Sequence, residues 1–215
     1  LAWAVAAGGA EGLYFVALAA ALARAPYGAV YAASRGGALL LVWPAAALIF
    51  GEAVTVRGTC GAAMVLAGVL MVASAGRLAG GAAGLAFAGL CAVGIAGYHL
   101  FYGRALAHGA GEAPVFAVAL SIALPAAWAT SRLRGGTVEP GPRGWLRWSV
   151  AGVVCAASFL IFLLGLAGSG AGPALTIRNT SIIFAQAIAA AMGERPPPRQ
   201  LAGAALIALG AAMVA

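Results

Sequence analysis

Apolar runs long enough to cross a bilayer follow one another along the whole chain, separated by brief polar interruptions. A spanning helix needs about 20 predominantly apolar residues. Windows of that character lie at 2–22, 29–50, 58–76, 84–103, 113–130, 148–167, 172–192 and, more briefly, 200–215. The breaks carry ordinary helix-ending chemistry: Arg24 with Pro26, Gly51 with Glu52, Arg77 with Gly80 and Gly81, Arg104 through Glu112, Gly168 through Pro173, and Glu194 through Arg199. The longest polar stretch, "SRLRGGTVEPGPRGWLR" at 131–147, is rich in Gly and Pro and closes on Trp145, with Trp148 just beyond, residues favoured at headgroup level. The pattern predicts an all-α, polytopic membrane bundle of about eight helices.

One interruption recurs. "GEAVTVRGTCGAAM" from Gly51 is matched by "GERPPPRQLAGAAL" from Gly193, a separation of 142 residues. Gly51 and Glu52 pair with Gly193 and Glu194, Arg57 with Arg199, Gly61 with Gly203, and Gly68 with Gly210. The charged matches weigh most, because so few charges are available to match. The first Gly-Glu ends the second window and its copy ends the seventh, so an odd number of spans separates equivalent points. Two copies related in that way face opposite sides of the membrane, as in the inverted repeats of many secondary transporters.

Composition narrows the function classes. Hydrophobic residues make up 64% of the chain and charged residues 8%, where a soluble domain carries about a quarter charged. Every acidic residue is Glu and every basic one Arg, and the net +7 is spread without a basic run that could follow a phosphate backbone. Nucleic acid is excluded as a partner; the lipid bilayer is implied. Cys60, Cys91 and Cys155 sit in apolar stretches without metal-ligand spacing. No nucleophile-and-base set, zinc set, Walker loop or dinucleotide fingerprint occurs, so neither an enzyme nor a metal or cofactor is expected. The chain opens at Leu1 and stops inside an apolar run at Ala215, which reads as a piece of a longer protein.

Taken together, "SRGGALLLVWPAAALIFGE" (34–52) with "GAAMVLAGVLMV" (61–72), and "RNTSIIFAQAIAAAMGE" (178–194) with "GAALIALGAAMV" (203–214), resemble the EamA-type permeases of the drug/metabolite transporter superfamily. The resemblance implies two five-helix halves, each ending in a helix, a Gly-Glu turn and a final helix. On that scheme 1–77 is the three-helix remainder of the first repeat, two helices short, and 78–215 is the second repeat with five helices. Pro44 matches the family's mid-helix proline, whereas Gln186 occupies the second-copy position. The implied function is a permease or exporter of small metabolites or drugs working by alternating access, in a prokaryotic plasma membrane. The partner is a small-molecule substrate, and a homodimer is compatible. The rival reading is a non-transporting membrane scaffold. Loop arginines divide eight to two between the sides; the positive-inside rule and the family's usual topology orient them oppositely, so the orientation stays open.

Candidate chemistry is confined to a few positions. Glu11 lies mid-span, where a carboxylate is costly unless paired, protonated or facing water; it is either a neutral hydrogen-bonded carboxyl or a protonatable or cation-binding group in a cavity. Arg35 and Arg178 each lie about six residues into their windows, and Tyr27, Tyr31 and Arg35 share a helical face. The arginines either snorkel to opposite surfaces or face opposite mouths of one central pathway. Tyr98, His99 and Tyr102 form a polar aromatic group. Asn179, Ser181 and Gln186 give the seventh window a polar side, for a cavity or for interhelical bonds. Gly51, Glu52, Arg57, Gly193, Glu194 and Arg199 read as turn clasps, with the glycines suited to positive φ and each carboxylate facing the following helix's N-terminus. The glycines at 58, 61, 68, 203 and 210 read as close-packing positions.

Overall fold

The computed structural model describes residues 1–51, 54–75, 81–133, 141–169, 174, 178 and 181–214. Eight helices are described: α1 (Ala2–Leu22), α2 (Tyr27–Phe50), α3 (Val56–Ala75), α4 (Gly81–Ala107), α5 (Glu112–Leu133), α6 (Pro142–Ser169), α7 (Ser181–Ala191) and α8 (Pro198–Val214). They fall on the eight apolar windows. Five segments are long and apolar enough to cross a membrane singly: Ala2–Leu22, Tyr27–Ile49, Ala82–Ala107, Glu112–Arg132 and Gly144–Gly168. Val56–Val72 and Ser181–Ala191 are shorter apolar helices; Ala174 and Arg178, ahead of α7, are also helical.

Helix ends follow local chemistry. Pro26, lacking an N–H, stands immediately before α2, where that donor has no partner in any case. Gly51 and Gly193 close α2 and the turn after α7 at φ +71° and +88°, a left-handed conformation that a Cβ disfavours. The two turn glycines therefore share a positive φ as well as their place in the repeat.

Small residues let the helices approach closely, the usual basis of packing where lipid is as apolar as the side chains. The longest seam joins α3 and α8. A Cβ on Gly68 would lie 2.6 Å from the Gly203 carbonyl oxygen, one on Gly203 would lie 2.8 Å from that of Gly68, and one on Gly210 would lie 2.6 Å from that of Gly61. Position 68 meets 203 while 61 meets 210, so the helices run antiparallel. Because 61 and 68 are the repeat equivalents of 203 and 210, each contact is the image of the other under exchange of the repeats. Such mutual contacts mark a two-fold axis, here crossing the helices, as an inverted repeat requires.

Two apolar clusters fill the bundle. One gathers α1, α4, α5 and α6 around Ile95, Tyr98, Tyr102, Phe116, Phe159 and Leu163. The other gathers α2, α3, α7 and α8 around Val30, Leu39, Val65, Val72, Ile182 and Ile207. Large apolar side chains also cover the outside, among them Leu70, Leu124, Val153 and Leu209. In water that exterior would be a liability; against acyl chains it is the expected surface.

The turn clasps bind differently from the expectation. Glu194 does not serve the helix that follows it. Its Oε1 accepts from the Tyr27 N–H at 2.7 Å and its Oε2 from the Gly28 N–H at 3.2 Å, across the bundle at the start of α2. The free N–H groups and the positive end of the helix dipole explain the choice of partner. Arg57 donates to the Ala212 carbonyl in the last turn of α8 at 3.2 Å, a cation at a helix C-terminus. Arg199 is exposed in the first turn of α8. Glu52 lies outside the described residues.

Candidate functional site

A cavity of about 510 Å³ opens beside α2, α6 and α7. Tyr31 and Arg35 contribute from α2, Ser158, Ile161, Phe162 and Gly165 from α6, and Ser181 and Phe184 from α7, with Ala174 and Arg178 ahead of it. Four-residue spacing sets Tyr31 and Arg35 on one face of α2, and the Arg35 guanidinium carbon stands 5.3 Å from the Tyr31 ring centroid. Arg35 and Arg178 thus both line this cavity.

Arg178 rests on an aromatic bed. Its guanidinium carbon lies 4.2 Å from the ring centroid of Phe162, 4.9 Å from Phe159 and 5.4 Å from Tyr98. Ring faces are negative and attract a cation, most strongly where water is excluded. The His99 ring completes the cradle. Its Nδ1 stands 2.7 Å from the Ile95 carbonyl oxygen, which only accepts, so Nδ1 carries the proton. Nε2 is left as an acceptor, and Arg178 Nη1 approaches it at 3.3 Å. The imidazole is therefore assigned as the neutral Nδ1–H tautomer from its bonding partners.

Opposite, hydroxyl groups tie the cavity walls together. Tyr31 donates to Ser181 Oγ at 3.1 Å, and Ser181 donates in turn to the Arg178 carbonyl. These bonds lock α2 to the start of α7 and hold Arg178 where its guanidinium reaches the cavity.

A second polar layer lies behind the wall. Glu11, from α1, is 1% exposed, and Tyr102 from α4 donates to its Oε2 at 2.7 Å. Tyr98 is fully buried, stacked on His99 at 4.7 Å between centroids, and its hydroxyl has no hydrogen-bond partner among the described residues. Glu11, Tyr98, His99 and Tyr102 are thus supports of the cavity rather than its lining, because α4 turns these rings toward α1 and α6. Gln186 is also displaced from the pathway expected for it. Its Nε2 donates to the Gly28 carbonyl at 2.9 Å, and its Oε1 accepts from Gln200 at 3.0 Å. With its carboxamide engaged on both sides and 5% exposed, Gln186 joins α7 to α2 and α8. Asn179 lies outside the described residues.

Three contributors escaped sequence reasoning. Phe159 and Phe162 have the three-residue spacing of one helical face, a signal that also describes ordinary core. Gln200 carried no signal beyond being polar near a helix start.

The model of the EamA-like transporter family matches residues 82–215, from α4 to the end of the chain. No curated protein and no solved structure matches the chain. The match covers more than half of its length and includes one cavity-lining arginine, Arg178, with the α6 and α7 walls. An apolar helical bundle with that match is an integral membrane protein, and the chain belongs to the EamA-like transporter family.

Proposed function

We propose that the protein is a carrier that moves a small metabolite or drug across a prokaryotic plasma membrane by alternating access, with the cavity beside α2, α6 and α7 as its binding chamber. The observation that carries this reading is the chamber itself: about 510 Å³, in the range of small-molecule sites, walled by helices from both repeats. In an inverted repeat the two halves can exchange conformations, which presents one chamber first to one side and then to the other. The antiparallel glycine seam between α3 and α8 supports that symmetry. Glu11, buried behind the chamber with a tyrosine donor, is suited to take up and release a proton and so to couple transport to a gradient.

A non-transporting scaffold is the alternative, and a test that needs no known substrate separates the two. Ser158 lines the chamber and bonds only within its own helix, to the Cys155 carbonyl. In a variant lacking Cys60, Cys91 and Cys155, Ser158→Cys should react with a membrane-impermeant thiol reagent applied to either face of oriented vesicles. Reaction from one face alone would sink alternating access.

A further inference from the structure

The chamber's walls carry two guanidinium groups, and the described carboxylates are engaged elsewhere. Glu11 accepts from Tyr102. Glu194 holds the first N–H groups of α2. Glu112 stands in the first turn of α5, and that helix contributes no residue to the chamber lining. Among the described residues neither Arg35 nor Arg178 forms an ion pair. Two like charges in one apolar pocket repel each other and have lost part of their hydration, an arrangement that an anion in the same pocket relieves.

The donor inventory points the same way. The Ser181 hydroxyl donates to the Arg178 carbonyl, the Tyr31 hydroxyl to Ser181 and the Ser158 hydroxyl to the Cys155 carbonyl, so the three hydroxyl donors of the lining are already used. A guanidinium has five N–H donors in a planar fork, and among the described residues the side-chain contacts of Arg178 are ring faces and one bond to His99. Free donors on the wall are therefore concentrated on the two arginines, whose fork matches the two oxygens of a carboxylate. The rest of the lining is of the opposite kind: Ile161, Phe162, Gly165, Ala174 and Phe184 offer apolar and aromatic surface.

From this pairing of a cationic end with an apolar wall, we propose that the chamber selects organic carboxylates bearing an apolar or aromatic body. Arg35 and Arg178 take the carboxylate and the α6–α7 wall takes the body. The proposal rests on the cavity being the carrier's binding chamber, but it concerns binding and can be tested without transport. Arg178 is the more constrained of the two, since its ring bed and His99 set its orientation before the ligand arrives. Pre-organised donors lose less freedom on binding than mobile ones.

Three phenylpropyl probes of similar size and one small anion separate the possibilities, using the purified full chain in detergent and calorimetric titration: 3-phenylpropionate, its neutral analogue 3-phenylpropanol, the cation 3-phenylpropylamine, and inorganic phosphate. Saturable binding of the carboxylate, with each other probe at least about tenfold weaker, is the expected result, since one charged hydrogen bond is worth that much or more. Arg35→Gln and Arg178→Gln should each weaken the carboxylate about tenfold or more and leave the alcohol unchanged. Arg178→Lys should recover part of the loss in a folded protein, as shown by circular dichroism, because it restores charge without the fork. Equal affinity for alcohol and carboxylate would overturn the proposal, as would tighter binding of amine, phosphate binding as tight as the carboxylate, or unaltered affinity in folded Gln variants. Failure of the carboxylate while Ser158→Cys still reacts from both faces would reject the ligand class and leave the carrier reading standing. Selective carboxylate binding with reaction from one face only would do the reverse.

Discussion

Gly68→Ala tests whether the α3–α8 seam holds the repeats together. The added methyl would sit 2.6 Å from the Gly203 carbonyl oxygen, 2.7 Å from Ile207 Cγ1 and 3.0 Å from the Ile207 nitrogen. A carbon rarely approaches a carbonyl oxygen closer than about 3.3 Å, so the helices must part by about 0.7 Å. The obstacle is backbone, which cannot rotate away as a side chain tip could. A radial gap of that size forfeits about a quarter to a half of each dispersion contact along the seam, and overpacking of this kind costs about 1–3 kcal/mol. Replacing Gly by Ala within a helix returns about 1 kcal/mol. The net expectation is a loss of about 0–2 kcal/mol in reversible unfolding followed by circular dichroism in mixed micelles. Gly210→Ala places its methyl 2.6 Å from the Gly61 carbonyl oxygen, the repeat-equivalent clash, and should cost a similar amount. The double variant should lose less than the sum, because the first methyl has already opened the seam. Gly9→Ala and Gly89→Ala, with nothing within 4 Å of the new methyl, serve as controls and should be neutral or slightly stabilising. Equal stability of Gly68→Ala and Gly9→Ala would refute the close seam and with it the packing evidence for the two-fold axis.

Glu11→Gln keeps the shape and the capacity to accept from Tyr102 but abolishes proton exchange. It should lower gradient-driven flux in vesicles several-fold while the unfolding midpoint barely moves, and full flux from the variant would reject a coupling role. Gln186→Leu should destabilise the fold by about 1–3 kcal/mol, because it strands the buried Gln200 amide. Its carboxylate affinity per folded molecule should be unchanged; a selective loss of binding would return Gln186 to the pathway.

The class of the protein and the number of its helices were legible in the chain alone, and for a simple reason. A bilayer core admits few charges and demands helices of a set length, so counting apolar residues between arginines and glycines suffices. The duplicated Gly-Glu turn was legible too, because its glutamate and the arginine that follows are rare letters in an Ala- and Gly-rich text. The antiparallel relation of α3 and α8 followed from the odd number of spans between the copies. What could not be read was which side of each helix meets which neighbour. A spanning helix is apolar nearly all round, so its hydrophobic pattern does not mark an inner face. Only tertiary packing could bring Glu194 to the start of α2, engage Gln186 with Gln200, and turn Tyr98, His99 and Tyr102 behind the wall. Packing likewise set Arg178 on Phe159 and Phe162, which ordinary core spacing had concealed. It also gave Arg35 and Arg178 one shared cavity, since both depths they could reach satisfy the sequence equally and the choice belongs to the contacts between helices.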